Sequence, residues 1–86
     1  MISKNSKYTA TIHVFGNIVA LDFPIWILNH AKKLGLHDVK TLRHDNCIEV
    51  LAAGPEEMLD ALALGCSLGP TTVLVERIAY TSSEVA

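Results

Sequence analysis

The chain has 86 residues, half of them apolar, and carries a formal net charge of −2 with only seven lysines and arginines. That length suits one domain spanning 1–86, able to bury a core without metal or disulfide staples but with modest stability. Sparse basic charge argues against nucleic acid or an anionic membrane as the main partner, since both need a concentrated positive field. No apolar run approaches the roughly 20 residues that span a bilayer. Met1 to Lys7 is polar and lacks the apolar stretch of a signal peptide, so the expected location is the cytoplasm.

From Tyr8 to Phe15, apolar Ala10, Ile12 and Val14 alternate with Thr9, Thr11 and His13, the period-two pattern of a strand with one buried face. Gly16 to Leu21 breaks the alternation. Asp22 then stands as a helix N-cap, with Pro24 inside the first turn. Phe23, Ile27, His30 and Leu34 fall in a narrow arc at about 100° per residue, which predicts a helix over 23–34. Gly35 is placed to end it with a left-handed cap.

A hairpin follows: Val39 to Arg43 as one arm, His44-Asp45-Asn46 as the turn, and Cys47 to Ala53 as the other. Ile48, Val50 and Ala52 supply the buried face of the second arm. Gly54-Pro55-Glu56-Glu57 opens a second helix, with Pro55 at its first position and acids on the positive end of the helix dipole. Met58, Leu59, Leu62 and Cys66 share its apolar side. Gly69-Pro70 closes the connection, Val73 to Thr81 forms a last strand, and the tail from Ser82 is expected to fray, leaving an ordered core of about 8–81.

The order strand, helix, strand, strand, helix, strand predicts an α+β fold of the ferredoxin-like βαββαβ type. Its four-stranded antiparallel sheet carries both helices on one face. Fold alone says little about function.

Short motifs say more. Phe15-Gly16-Asn17-Ile18-Val19-Ala20-Leu21-Asp22-Phe23-Pro24 resembles the loop of the acylphosphatase family, written G-R-V-Q-G-V-G-F-R. Ala31-Lys32-Lys33-Leu34-Gly35-Leu36 is similar to its A-x-x-L-G-L helix end, and Asp45-Asn46-Cys47-Ile48-Glu49-Val50 to its D-G-x-V-E-V hairpin. Gly54-Pro55-Glu56-Glu57 is similar to the start of its second helix, and Gly69-Pro70 followed by Val75-Glu76-Arg77-Ile78 to its G-P…V-E-x-V ending. The motifs keep one register from about Thr11 to Tyr80.

The resemblance implies a definite chemistry. Acylphosphatases hydrolyse a carboxyl–phosphate anhydride without metal. Loop amides at a helix N-terminus cradle the phosphate. An arginine at the loop's end grips two phosphate oxygens, and an asparagine on the second strand holds the attacking water. Positioning and charge stabilisation supply most of phosphoryl-transfer catalysis. In this register Pro24 occupies the arginine position and Leu42 the asparagine position. Proline offers neither charge nor donor, and leucine cannot orient a water.

The loop over Gly16, Asn17, Ile18, Val19, Ala20, Leu21 and Asp22 also reads as a degenerate phosphate cradle. Ala20 and Asp22 replace family glycines, and an Asp22 carboxylate would repel a phosphate. As an N-cap, Asp22 would instead satisfy the helix amides itself. Arg43 and Arg77 are the only arginines; one neighbours Leu42 and so faces away from it, the other is distant from the loop in sequence.

These features point to a catalytically inactive interaction or regulatory module with no cofactor. The alternatives are a divergent acylphosphatase whose phosphate clamp is Lys40 or His44, and a small-molecule binding module built on the altered loop. The histidines, His13, His30, His37 and His44, show no metal-ligand spacing, and Cys47 and Cys66 read as buried, unpaired thiols, so no metal is expected. The inner hairpin arm lacks the aromatics of an RNA-binding sheet. Ile25 and Leu28 lie far from the buried arc of the first helix, and Leu64 lies opposite that of the second. They are the expected surface for a protein partner or a weak homo-oligomer.

Overall fold

The computed structural model describes residues 7–17, 22–69 and 74–85. Six elements follow in the order β1 (Lys7–Asn17), α1 (Phe23–Lys33), β2 (His37–Arg43), β3 (Cys47–Gly54), α2 (Glu56–Leu68) and β4 (Leu74–Val85). The sheet order is β2-β3-β1-β4 and every neighbouring pair is antiparallel. This is the predicted ferredoxin-like arrangement.

The alternation in β1 works as the sequence suggests. Ala10, Ile12 and Val14 are buried and sit across from Ala52, Val50 and Ile48 of β3. Phe23, Ile27 and Ala31 of α1 and Leu59, Leu62, Ala63 and Cys66 of α2 close over that face in one cluster. Among the described residues, nothing packs over the opposite face of the sheet. On it, Leu42, Glu49, His13 and Ala79 form one cross-strand row, and Lys40, Leu51, Thr11 and Thr81 the next.

Helix α1 ends as predicted. Gly35 takes φ 78°, the Gly35 amide donates to the Lys32 carbonyl at 3.0 Å, and the Leu36 amide donates to the Ala31 carbonyl at 3.1 Å. Those two bonds are the 5→2 and 6→1 pair of a Schellman motif, and buried Leu36 packs on the core behind it.

Three expectations need correction. The tail does not fray: β4 runs to Val85, because β1 begins at Lys7 and offers partners to each residue, pairing Thr9 with Ser83, Tyr8 with Glu84 and Lys7 with Val85. Pro55 is the N-cap of α2 and not its first helical residue. Its φ of −63° suits either position, but its ψ of 142° keeps it extended, and its carbonyl accepts from the Met58 and Leu59 amides. The third concerns Asp22, whose carboxylate does not cap α1.

Candidate functional site

One end of the sheet gathers the loop, hairpin and β4 motifs, whereas the motifs at 31–36 and 54–57 lie at the other. Strand β1 reaches it at Phe15, which lies between Cys47 of β3 and Arg77 of β4. The hairpin turn at 44–46, the start of β4 and the start of α1 meet there too. Ile18, Val19, Ala20 and Leu21, together with the Asn17 side chain, lie outside the described residues, so the centre of the predicted cradle is approached from its two rims.

On the first rim, Gly16 has φ 147° and follows a β-bulge between Phe15 and Gly16. A Cβ here would overlap the Leu74 carbonyl oxygen and lie 2.9 Å from the Glu76 amide nitrogen. The residue at this place must be glycine because the β4 backbone crosses so close. That requirement is structural and independent of any phosphate.

On the second rim, Asp22 occupies the N-cap position, but its side chain makes no capping hydrogen bond. This corrects the expectation that its carboxylate fills the helix N-terminus. Two causes are visible. Asp22 has φ −88° and ψ −5°, already helical, whereas a capping side chain needs an extended backbone to reach the amides ahead. Pro24 also stands at the second helical position, so one of the two usual donors does not exist. Only the Asp22 carbonyl takes part, accepting from the Trp26 amide at 2.9 Å.

Leu42 is exposed on the open face, across from Glu49. Arg43 pairs with Ile48 and therefore projects to the other side of β2. Glu49 is hydrogen-bonded by the turn, with the His44 imidazole donating to its Oε1 at 2.9 Å, and His13 Nε2 lies nearby, 3.9 Å from its Oε2. Lys40 shares the Leu42 face, one cross-strand row away. Among the described residues, no three of the histidines, cysteines and acids are placed to hold a metal ion. Both cysteines are free and buried, and burial pushes the Cys66 thiol up to about 12.

Sequence reasoning missed Arg77. Though remote from the loop along the chain, its guanidinium lies 3.9 Å above the Phe15 ring, one residue before Gly16. Contacts of this kind hold an arginine in place. The available signal was the antiparallel pairing of β1 with β4, but the bulge shifts their register and hides which residues meet. Ile25, Leu28 and Leu64 are exposed as expected, and they lie on the outer side of the helical layer. No helix among the described residues is long and apolar enough to cross a membrane.

Along most of its length the chain is similar to known proteins. No family model matches the chain. It is 31% identical over 67 residues to an acylphosphatase of Rhizorhabdus wittichii, covering 78% of this chain and 68% of that one. It is 25% identical over 73 residues to an acylphosphatase of Rhodopseudomonas palustris, covering 85% and 74%. The crystal structure of acylphosphatase from Bacillus subtilis superposes with a TM-score of 0.80 at 27% identity, over 88% of this chain and 84% of that one. Together with the shared topology and the motifs in register, these likenesses establish that the chain belongs to the acylphosphatase family.

Proposed function

We propose that this chain is a non-catalytic member of the acylphosphatase family, a folded framework without the working side chains of the reaction. The observation that carries the reading is the pair of substitutions at the two positions the family's chemistry depends on. Pro24 stands in the first turn of α1 where a phosphate-gripping arginine is expected. Leu42 stands exposed on β2 where a water-holding asparagine is expected. Removing one transition-state donor costs about 10²–10³ in rate, and removing an arginine from a transferring phosphoryl group about 10³–10⁵. The two losses need not multiply, yet either one lowers turnover by at least about a hundredfold.

A second reading has one observation in its favour. Arg77 is held over Phe15 at the strand end that leads into the loop, so a guanidinium is present at this corner although not at the family's position. In that reading the chain is a divergent acylphosphatase and Arg77 takes over the phosphate grip from Lys40 and His44, the candidates apparent from sequence.

The experiment is hydrolysis of benzoyl phosphate by the purified protein, beside an ordinary acylphosphatase. The expected rate is at least about a thousandfold lower. Turnover within tenfold of the reference overturns the non-catalytic reading, and its loss in Arg77→Ala then identifies the substitute clamp. The combined Pro24→Arg, Leu42→Asn, Ala20→Gly and Asp22→Gly variant is expected to regain hydrolysis. A folded but inactive variant counts against those positions being the working ones.

A further inference from the structure

The helical layer turns a second face outward, and the pattern on that face is complementary to itself. The exposed residues of α1 include Ile25, Asn29 and Lys32 opposite the core, with Leu28 flanking them. Residues opposite the core on α2 recur at helical spacing as Glu57, Ala61, Leu64 and Leu68. The apolar members are strongly exposed: Ile25 by 58%, Leu28 by 38%, Leu64 by 63% and Leu68 by 73%.

The charges are segregated as well. Helix α1 has no acidic residue and ends in His30, Lys32 and Lys33, whereas α2 begins with Glu56 and Glu57 and has no lysine or arginine.

Direction and height follow from the fold. Helix α1 runs away from the loop end of the sheet and α2 runs back toward it, because each crosses between two unpaired strands that run in the same direction, β1 and β2 for α1, β3 and β4 for α2. His30 of α1 fits against Gly65 of α2, at a point where a Cβ would overlap its ring. That contact, together with the tilt of helical side chains toward the N-terminus, puts Ile25 level with Leu68 and Leu28 level with Leu64. Both apolar pairs therefore lie at the loop end. The basic end of α1 and the acidic start of α2 lie at the other.

From this arrangement we infer that the helical layer is an interface with a second copy of this chain, related by a two-fold axis parallel to the helices. Such an axis leaves heights unchanged and places α1 of one copy over α2 of the other. Ile25 then packs on the partner's Leu68 and Leu28 on the partner's Leu64. Lys32 and Lys33 approach the acidic first turns of the opposing α2, with Glu57 one turn beyond Ala61 and within reach of a lysine side chain. The contact is isologous, so each attraction occurs twice and the assembly closes as a dimer. A two-fold axis across the helices would set α1 on α1 and bring Lys32 toward Ile25, which neither burial nor charge favours.

Size sets the strength. Two helices of this length side by side present a layer of about 20 Å by 20 Å, roughly 400 Å² in plan per copy. That is small for a stable complex, so the dimer is expected to be weak and concentration-dependent. The interface does not involve Pro24, Leu42 or Arg77, so this inference and the hydrolysis reading fail or stand separately.

The test is sedimentation equilibrium of the full chain from about 5 to about 500 µM, with far-UV circular dichroism to confirm folding. The wild type should pass from the monomer mass of 9.3 kDa toward twice that value as concentration rises. Leu64→Glu should remain monomeric throughout. Lys32→Glu and Glu57→Lys should each weaken association roughly tenfold, and the two together should restore it, since the exchanged charges meet again across the axis. A wild type that is monomeric at the highest concentration overturns the interface. So does an association that Leu64→Glu leaves intact, a double exchange as weak as its parents, or a mass that grows beyond the dimer.

Discussion

The sharpest consequence of the fold is the cost of placing one methyl group at Gly16. The added Cβ would overlap the Leu74 carbonyl oxygen and lie 2.9 Å from the Glu76 amide nitrogen and 3.0 Å from Val75 Cα, all of them backbone atoms of β4. No side chain can rotate away to make room, so β1 and β4 must part at the bulge. The pairings next to it are Gly16 with Val75 and Asn17 with Leu74. Weakening two backbone hydrogen bonds there costs about 1 kcal/mol each. Forcing alanine to φ 147° adds about 1 kcal/mol or more. Gly16→Ala is therefore expected to lose about 3 kcal/mol of an overall stability of roughly 4–13 kcal/mol for a chain of this length.

Gly35→Ala is the control: its φ is 78° and nothing lies within 4 Å of the new atom, so only the conformational cost of about 1 kcal/mol remains. Urea unfolding of both variants measures the difference from their midpoints. If Gly16→Ala is no less stable than Gly35→Ala, the close approach of β4 is not what makes position 16 glycine.

The Tyr80 hydroxyl donates to Asp60 Oδ1 at 2.6 Å and ties β4 to α2, so Tyr80→Phe should lose about 1 kcal/mol in urea unfolding, and an unchanged midpoint would dismiss the tie. Burial and the Asp60 carboxylate push the Tyr80 phenol from 10.0 up to about 12. The neutral form is favoured by folding, so this contribution to stability is complete below pH 10 and is lost as pH rises toward 12. Phenolate absorbance should show Tyr80 titrating late, and a midpoint near 10 in the folded protein contradicts the assignment. The thiol of Cys66, raised by burial to about 12, should react with a disulfide reagent at pH 8 roughly a thousandfold more slowly in folded Cys47→Ala protein than in urea. Equal rates would show the site to be open. Phe23 is fully buried at the head of α1, and Phe23→Ala should lose about 3–5 kcal/mol, read from the thermal or urea midpoint. A loss under 1 kcal/mol would mean that α1 is not anchored there.

The Asp22 correction shows why site chemistry is harder to read than fold. The residue type, its place before an apolar helix and the following proline all suit an N-cap, and the position is indeed the cap. Whether the carboxylate engages the helix depends on backbone angles and on which amides remain. Pro24 removes a donor that any other residue would have supplied. The role of Leu42 is different. Its place on the open face follows from strand parity, because Leu42 meets Glu49 while Arg43 meets Ile48. The pairing of Glu49 with His44 and His13 does not follow from parity alone, since it joins a strand, a turn and a second strand.

The sequence by itself determined the features that arise within one turn or one strand. The alternation of Ala10, Ile12 and Val14, the helical arc of Phe23, Ile27, His30 and Leu34, the Gly35 helix end and the outward Ile25, Leu28 and Leu64 all report local geometry; in the structure Phe23 and Ile27 are fully buried, Leu34 packs against the core and His30 against Gly65. Only the tertiary structure decided which distant backbones meet. It paired the tail at 82–85 with β1, brought Arg77 over Phe15, and made position 16 glycine through the crossing of β4. The physical reason is that side-chain periodicity is set by bonds along the chain. Register across strands is set by hydrogen bonds between segments some 60 residues apart, and a single bulge resets it without changing either pattern.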